Sequence, residues 1–249
     1  MAILGNPMLM GAADPATNFT IITSETTTDF NLRTELDAAG FNNDISSTIT
    51  YTLEAAVTIG ASSDDNPAWQ TGTIGDNHTL TIHIRGVILG EGGAGGAQTS
   101  SSSSGCVTPN NGADGSDAMF FSDVSCPDVS MDFYSTTTIK GAGGGGGSGG
   151  SAWKEQEEDT YQAFGGAGGR GEGYGGSAAS GSGGENDPPI TGGTGGTGGA
   201  FGAAGSSGSS GTDGSCTAGT GGASGYAVRK NGNTVTITDG GATIVGTVG

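Results

Sequence analysis

Proline and positive charge are both scarce in this chain. Its 249 residues include 7 prolines, 2 histidines and only 7 lysines and arginines together. So little proline excludes collagen, although Thr191–Gly199 repeats glycine in triplets, because a collagen triple helix needs proline at roughly 15–20%. The few basic residues face 25 acidic ones, and the formal charge of −18 repels phosphate backbones and anionic lipid surfaces. Nucleic acid and membrane insertion are therefore not expected. No apolar run approaches the ~18–20 residues of a membrane span, and the first ten residues lack the basic flank of a secretory signal, so a chain made and kept soluble is expected.

The residues of catalysis are equally sparse. The lysines are Lys140, Lys154 and Lys230, none in a phosphate-binding loop. His78 and His83 lie five apart on what reads as one strand, so they face opposite sides and share neither a metal nor a nucleophile. Gly146–Gly150 matches a nucleophile-elbow pattern only because it is a glycine run. Asn110–Asp117 gathers oxygen ligands as a calcium loop does but lacks the bidentate glutamate, and reads first as a polar turn. No enzyme and no cofactor are expected.

Glycine is what the chain has in excess: 54 residues, three times the ordinary share of about 7%. Composition divides the rest into a mixed region over 12–90, a glycine-rich region over 91–225 and a β-prone tail over 226–249. In the first, Asn18–Ile22, Thr48–Leu53, Val57–Ile59 and Leu80–Ile84 have strand periodicity, and Asp29–Gly40 reads as a short helix with Asp29 as N-cap and Gly40 as its stop. This predicts a small α+β domain. A strand, a short turn, an apolar residue and then glycine recur at 84–96, 129–144 and 235–246, and such repeats mean stacked layers.

A flexible linker is the default for so much glycine, yet Phe120, Phe121, Trp153, Tyr161, Phe164, Tyr174 and Phe201 punctuate the region. The ordered alternative is a sandwich of polyglycine II helices, left-handed with three residues per turn. Their bare faces approach closely enough for backbone to bond backbone. Gly141–Gly150 and Thr191–Gly199 each supply about three turns, with 165–171 and 219–225 as shorter candidates. Bulkier stretches, 98–126, 153–164, 185–190 and 206–216, would be expelled as loops at the rod ends, where binding surfaces usually sit.

Two passages resemble a known family. Met1–Gly11 opens with Met-Ala, two apolar residues, Gly-x-Pro and a later glycine, and Ile84–Gly96 runs from a strand into a first glycine run. Both are similar to the glycine-rich tail adhesins of tailed bacteriophages, including T-even-type long-tail-fibre tip adhesins. That resemblance implies a virion-attachment segment over 1–11, carried by Ile3, Leu4, Pro7, Met8, Leu9 and Met10. It further implies a small mixed domain, a polyglycine II sandwich whose end loops contact the bacterial surface, and short closing β-strands. The partners would be other tail or fibre proteins and a bacterial receptor, glycan or outer-membrane protein. A symmetric tip would carry a homotrimer, although the family also holds monomeric adhesins.

Within the loops, Trp153–Phe164 combines aromatic faces with carboxylates, which suits contact with sugars or porin loops. Trp153, Glu155, Tyr161 and Phe164, with Tyr174 beyond, are the receptor-binding candidates. Cys106 and Cys126 bracket a loop that a disulfide would close; Cys216 could pair with either, and three buried thiols are the other reading. Two functions compete with adhesion. A head or tail decoration protein would use the lattice only to stiffen the particle, and an ice-binding protein would use Thr191, Thr194 and Thr197 as a row on one face.

Overall fold

The structure, a computed structural model, describes residues 2–3, 18–100, 105–122, 128–156, 159–188, 190–212 and 216–249. Strands of alternating burial wind the chain into successive coils. Asn18–Thr23, Thr48–Leu53, Thr79–Ile84, Asp128–Phe133 and Val235–Asp239 stand side by side in one parallel sheet. Each is followed by a short strand in a second parallel sheet: Thr27–Thr28, Thr58–Gly60, Val87–Leu89, Thr138–Lys140 and Thr243–Val245. Phe30–Asn31, Trp69–Gln70, Met119–Phe120 and Val228–Arg229 form a third. The repeat seen in the sequence is this coil. Ala2–Ile3 adds an antiparallel pair to Ile21–Ile22 at one edge.

In-register pairing stacks like upon like inside. Ile21, Tyr51, Ile82, Met131 and Ile237 form one interior row, and Ile59, Ile88, Ile139 and Ile244 another. Phe30, Tyr51, Trp69 and Phe121 pack ring against ring at 5.1, 5.6 and 5.8 Å. Tyr51 donates to Thr23 Oγ1 at 3.2 Å, and its burial raises the phenol pKa far above the ordinary range, so it stays neutral.

The helix is Leu32–Ala38, shorter than expected, and its N-cap is Asn31, whose side chain accepts from Thr34 N–H. Asp29 does not cap it, because Phe30–Asn31 is held as a strand against Trp69–Gln70. Asp29 instead adopts φ +50° and accepts from Ser62 N–H at 2.9 Å. Gly40, at φ +84°, follows the C-cap Ala39 as a helix stop should. Leu32 and Leu36 are fully buried and cover the first coil.

The glycine-rich segments leave the coils after Leu89 and Lys140 and re-enter them at Ala118 and Ala227, so residues 118–122 and 128–140 belong to the coils. At the centre of these segments lies Gly141–Gly150, buried at every position. Its successive N–H groups address three neighbours in turn. Gly145, Gly146 and Gly147 donate to the carbonyls of Ala113, Gly169 and Ser206 at 2.9, 2.8 and 3.0 Å; Ser148, Gly149 and Gly150 repeat the order with Asn110, Gly166 and Ser209. Its carbonyls accept from three others: Gly143 and Gly146 from Gly93 and Gly96, Gly144 and Gly147 from Gly199 and Gly196, and Gly145 and Ser148 from Gly222 and Gly219. The surrounding segments are thus 90–97, 110–117, 165–172, 192–199, 203–210 and 219–225, and 179–185 bonds outside 164–170 and 192–198.

Glycine is required here by contact. A Cβ on Gly146 would meet the Gly196 carbonyl, and one on Gly93 the Ala113 carbonyl, backbone that has nowhere to go. Gly183, on the outer segment, faces open space. Replacing Gly146 by Ala is therefore expected to abolish the soluble folded protein. Gly183→Ala should be neutral or raise stability by up to ~1 kcal/mol, compared by thermal unfolding.

Candidate functional site

The glycine segments run to and fro, so their connections gather at two ends. At the coil end are the turns 173–176 and 200–202. Of the described residues, the far end carries 99–100 and 105–110, the excursion 151–156 and 159–164, residues 185–188 and 190–191, and residues 211–212 and 216–217. This distal cluster is the candidate binding surface.

The excursion is not an irregular loop but a β-ribbon, Ala152–Gln156 paired antiparallel with Asp159–Ala163. Register puts Trp153 opposite Gln162 and Lys154 opposite Tyr161, so Trp153 and Glu155 share one face and Tyr161 the other. A second, two-residue ribbon, Asn186–Asp187 with Ile190–Thr191, supports it. Ala152, Ala163 and Ile190 make a small buried cluster, against which Tyr161 packs. Gln162 N–H donates to Asp187 Oδ2 at 3.1 Å and Phe164 N–H to Glu185 Oε2 at 3.2 Å. Phe164 is 37% exposed at the ribbon base. Four of the five predicted contact residues thus come together, on two faces.

Tyr174 does not join them. It lies in the turn at the coil end, where its N–H donates to the Gly90 carbonyl at 2.8 Å and its ring covers Gly60. Glu91, paired with Arg170, accepts from Gly175 N–H at 2.8 Å and holds the same turn. Of the attachment residues, Ile3 contributes backbone pairing, while Leu4, Pro7, Met8, Leu9 and Met10 lie outside the described residues.

The cysteine pairing differs from the expected one. Cys106 is bonded to Cys216, with their Cα atoms 5.1 Å apart, rather than to Cys126, which lies outside the described residues. The chain returns to the far end at both positions, so residues 110 apart in sequence become neighbours there, and the bond ties two distal stretches together.

Asn110–Asp117 is neither a turn nor a calcium loop but an edge of the packed segments. Asn111, Asp114 and Asp117, three apart, accept through Oδ1 from the N–H groups of Thr220, Ala223 and Tyr226 at 3.0, 2.6 and 2.8 Å. Ser206 and Ser209 Oγ do the same for Thr197 and Thr194 N–H, both at 2.8 Å, and also bond the threonine hydroxyls at 3.0 Å. The threonine row is thereby engaged with its neighbour instead of standing free. Sequence reasoning missed these ladders, although their three-residue spacing was visible. Among the described residues, no three His, Cys, Asp or Glu side chains are placed to share a metal ion. His78 is buried against Phe41, and His83 Nδ1 lies 3.2 Å from Asp132 Oδ2.

These features belong with a binding protein. Residues 18–249 match the family of phage tail fibre adhesin Gp38, and the chain belongs to it. It is a non-catalytic tail-fibre adhesin. Among solved structures it is similar to the gp37-gp38 adhesin tip complex of the bacteriophage S16 long tail fiber. The identity is 17% and the TM-score 0.45, over 92% of this chain and 82% of that one. No curated protein matches it.

Two outcomes follow. Peptide mapping without reduction should recover Cys106 linked to Cys216, and Cys216→Ser should lower unfolding stability by about 2–5 kcal/mol. Asp117, 7% exposed and 2.9 Å from Arg229, has a raised pKa, chiefly because burial disfavours its charge, with Tyr226 N–H and Arg229 opposing. A raised folded-state pKa contributes stability below the unfolded value that is lost as pH rises through the folded one. Asp117→Asn keeps the acceptor without the charge, so at pH 7 it should be at least as stable as the parent, the gap closing on acidification. Asp117→Ala strands Tyr226 N–H and should cost ~1–3 kcal/mol, as a pH series of thermal melts would show.

Proposed function

We propose that the chain is a tip adhesin whose glycine segments are polyglycine II helices forming a rigid post, with the far-end ribbons as the surface that touches the host. The observation that carries this is the three-residue rotation of hydrogen bonds around Gly141–Gly150, with connections sorted to two ends. No glycine of these segments is among those with positive φ, in keeping with a left-handed polyproline-type backbone. At ~3.1 Å per residue the post holds its far end some ~28 Å from the coils.

On this reading the division of labour follows the chain. Residues 1–11 attach to the fibre, through Ile3, Leu4, Pro7, Met8, Leu9 and Met10. The pairing of Ala2–Ile3 with Ile21–Ile22 ties that segment to the coils, away from the distal surface. The coils over 18–89, 118–122, 128–140 and 227–249 form the base, and the glycine segments between them supply the post. A tail-fibre adhesin has two partners by its nature, the fibre and the bacterial surface. The exposed Glu155, the half-buried Trp153 on the same ribbon face and Phe164 at its base are the groups for stacking and hydrogen bonding to a surface glycan or an outer-membrane protein loop. Tyr161 supports the ribbon from behind, and Tyr174 braces the opposite end.

Purified protein should block adsorption of the phage to its host. The combined change W153A, E155A and F164A should weaken that block and the adsorption of particles at least tenfold. Y174A should leave both near the parent level. A triple variant that folds and competes like the parent would remove the ribbon from the contact surface.

A further inference from the structure

The two ends of the coil stack are built differently. At the first coil, Phe19, Ile21 and Phe30 are all buried, and the helix Leu32–Ala38 lies over that end with Leu32 and Leu36 inward. At the last coil no helix lies over the end among the described residues; only residues 247–249 add to it, pairing with 227–230 of the third sheet and leaving the other two sheets uncovered. Along the interior rows Tyr51, Ile82 and Met131 are fully buried, but the next member, Ile237, is half-buried; Ile59, Ile88 and Ile139 give way likewise to a half-buried Ile244. Val248, which pairs with Val228 of the third sheet, is 40% exposed, one of three large apolar side chains so exposed among the described residues. Stacked coils need a polar cap where stacking stops, and this end has apolar rungs instead.

The backbone is open as well. Among the described residues, Val235–Asp239 is the outermost strand of its sheet and Thr243–Val245 of the next. Natural edges are blunted by lysine, proline or a bulge, yet V-T-I-T-D and T-I-V contain no lysine and no proline and pair in unbroken register with the coil beneath. We propose that this end is a docking edge, on which an extended strand of another tail-fibre protein adds a further rung. An extended chain is what a row of parallel-sheet donors and acceptors recognises, and its apolar side chains would cover Ile237, Ile244 and Val248. A second copy of this chain is disfavoured, because each copy carries a formal charge of −18. The inference rests on the reading of the protein as an adhesin mounted on a fibre and adds a contact to the one assigned to residues 1–11.

Hydrogen exchange of the full-length protein, free and on purified particles, tests it. Amides of 235–239 should exchange at least tenfold more slowly on particles, whereas equal protection in both states overturns the proposal. A T236K and T238K double variant, changed at exposed edge positions, should melt like the parent and still block adsorption when free, but fall at least tenfold in particle content. Parent-level incorporation of that variant overturns the proposal, as does protection that tracks a dimer of the free protein in sedimentation. Failure of the free parent protein to block adsorption would strike the adhesin reading instead, so the two failures are distinguishable.

Discussion

Peptide groups bonding directly to peptide groups, with no side chain between them, are the constraint on which this molecule depends. In an ordinary domain such bonds run in ladders between strands, and side chains stand off the ladder to form a core. Around Gly141–Gly150 the bonds leave the backbone in three directions per turn, so the spaces where side chains would stand are occupied by neighbouring backbone. A buried N–H or C=O without a partner costs ~1–3 kcal/mol, and here six neighbouring segments supply the partners that water supplies elsewhere. Glycine's large loss of freedom on ordering is opposed by that satisfaction, which is collective: remove one neighbour and the central segment loses a third of its N–H partners or a third of its C=O partners.

Such a lattice cannot begin unaided, since each bond joins segments far apart in sequence. The coils provide the start. Val87–Leu89 and Thr138–Lys140 are already paired in parallel and in register through apolar side chains when each runs on into glycine, at Gly90 and Gly141. Gly90 N–H donating to the Lys140 carbonyl, then Gly93 to Gly143 and Gly96 to Gly146, continue the same pairing with every third residue bonded. One hydrophobic core thus sets the alignment for a much larger region that has none. The disulfide between Cys106 and Cys216 acts at the opposite end, where no apolar core is large enough to hold the returning chain.

Much of this was legible in the sequence, and the limits have physical causes. Period-two alternation revealed the strands, and the recurrence of strand, turn, apolar residue and glycine revealed the coil, because both express burial on one face. The helix start was misplaced because Phe30–Asn31 is captured by Trp69–Gln70, a pairing across 39 residues that overrides a local capping signal. Cys106 and Cys216 could not be matched from spacing, since only the folding back of the segments makes them neighbours. Asn111, Asp114 and Asp117 resembled a cation loop because oxygen-rich side chains serve any donor; that the donors are backbone N–H groups 109 residues away is a tertiary fact. Tyr174 was grouped with the distal aromatics because sequence does not say at which end a turn falls.

The same packing that forbids change among the inner glycines permits it at the far end. Nearly every inner glycine has backbone where a side chain would begin, so substitution there acts on the whole lattice. The distal ribbons, by contrast, are fixed mainly through their bases. Ala152, Ala163 and Ile190 are buried, and Glu185 and Asp187 hold backbone N–H groups, while Glu155 and Phe164 face outward with nothing built upon them. A surface mounted this way can change its residues without disturbing what carries it. The edge ladders of Asn111, Asp114 and Asp117 and of Ser206 and Ser209 complete the separation: they satisfy outer N–H groups with side chains of the same molecule, so those backbone groups need no partner from outside it.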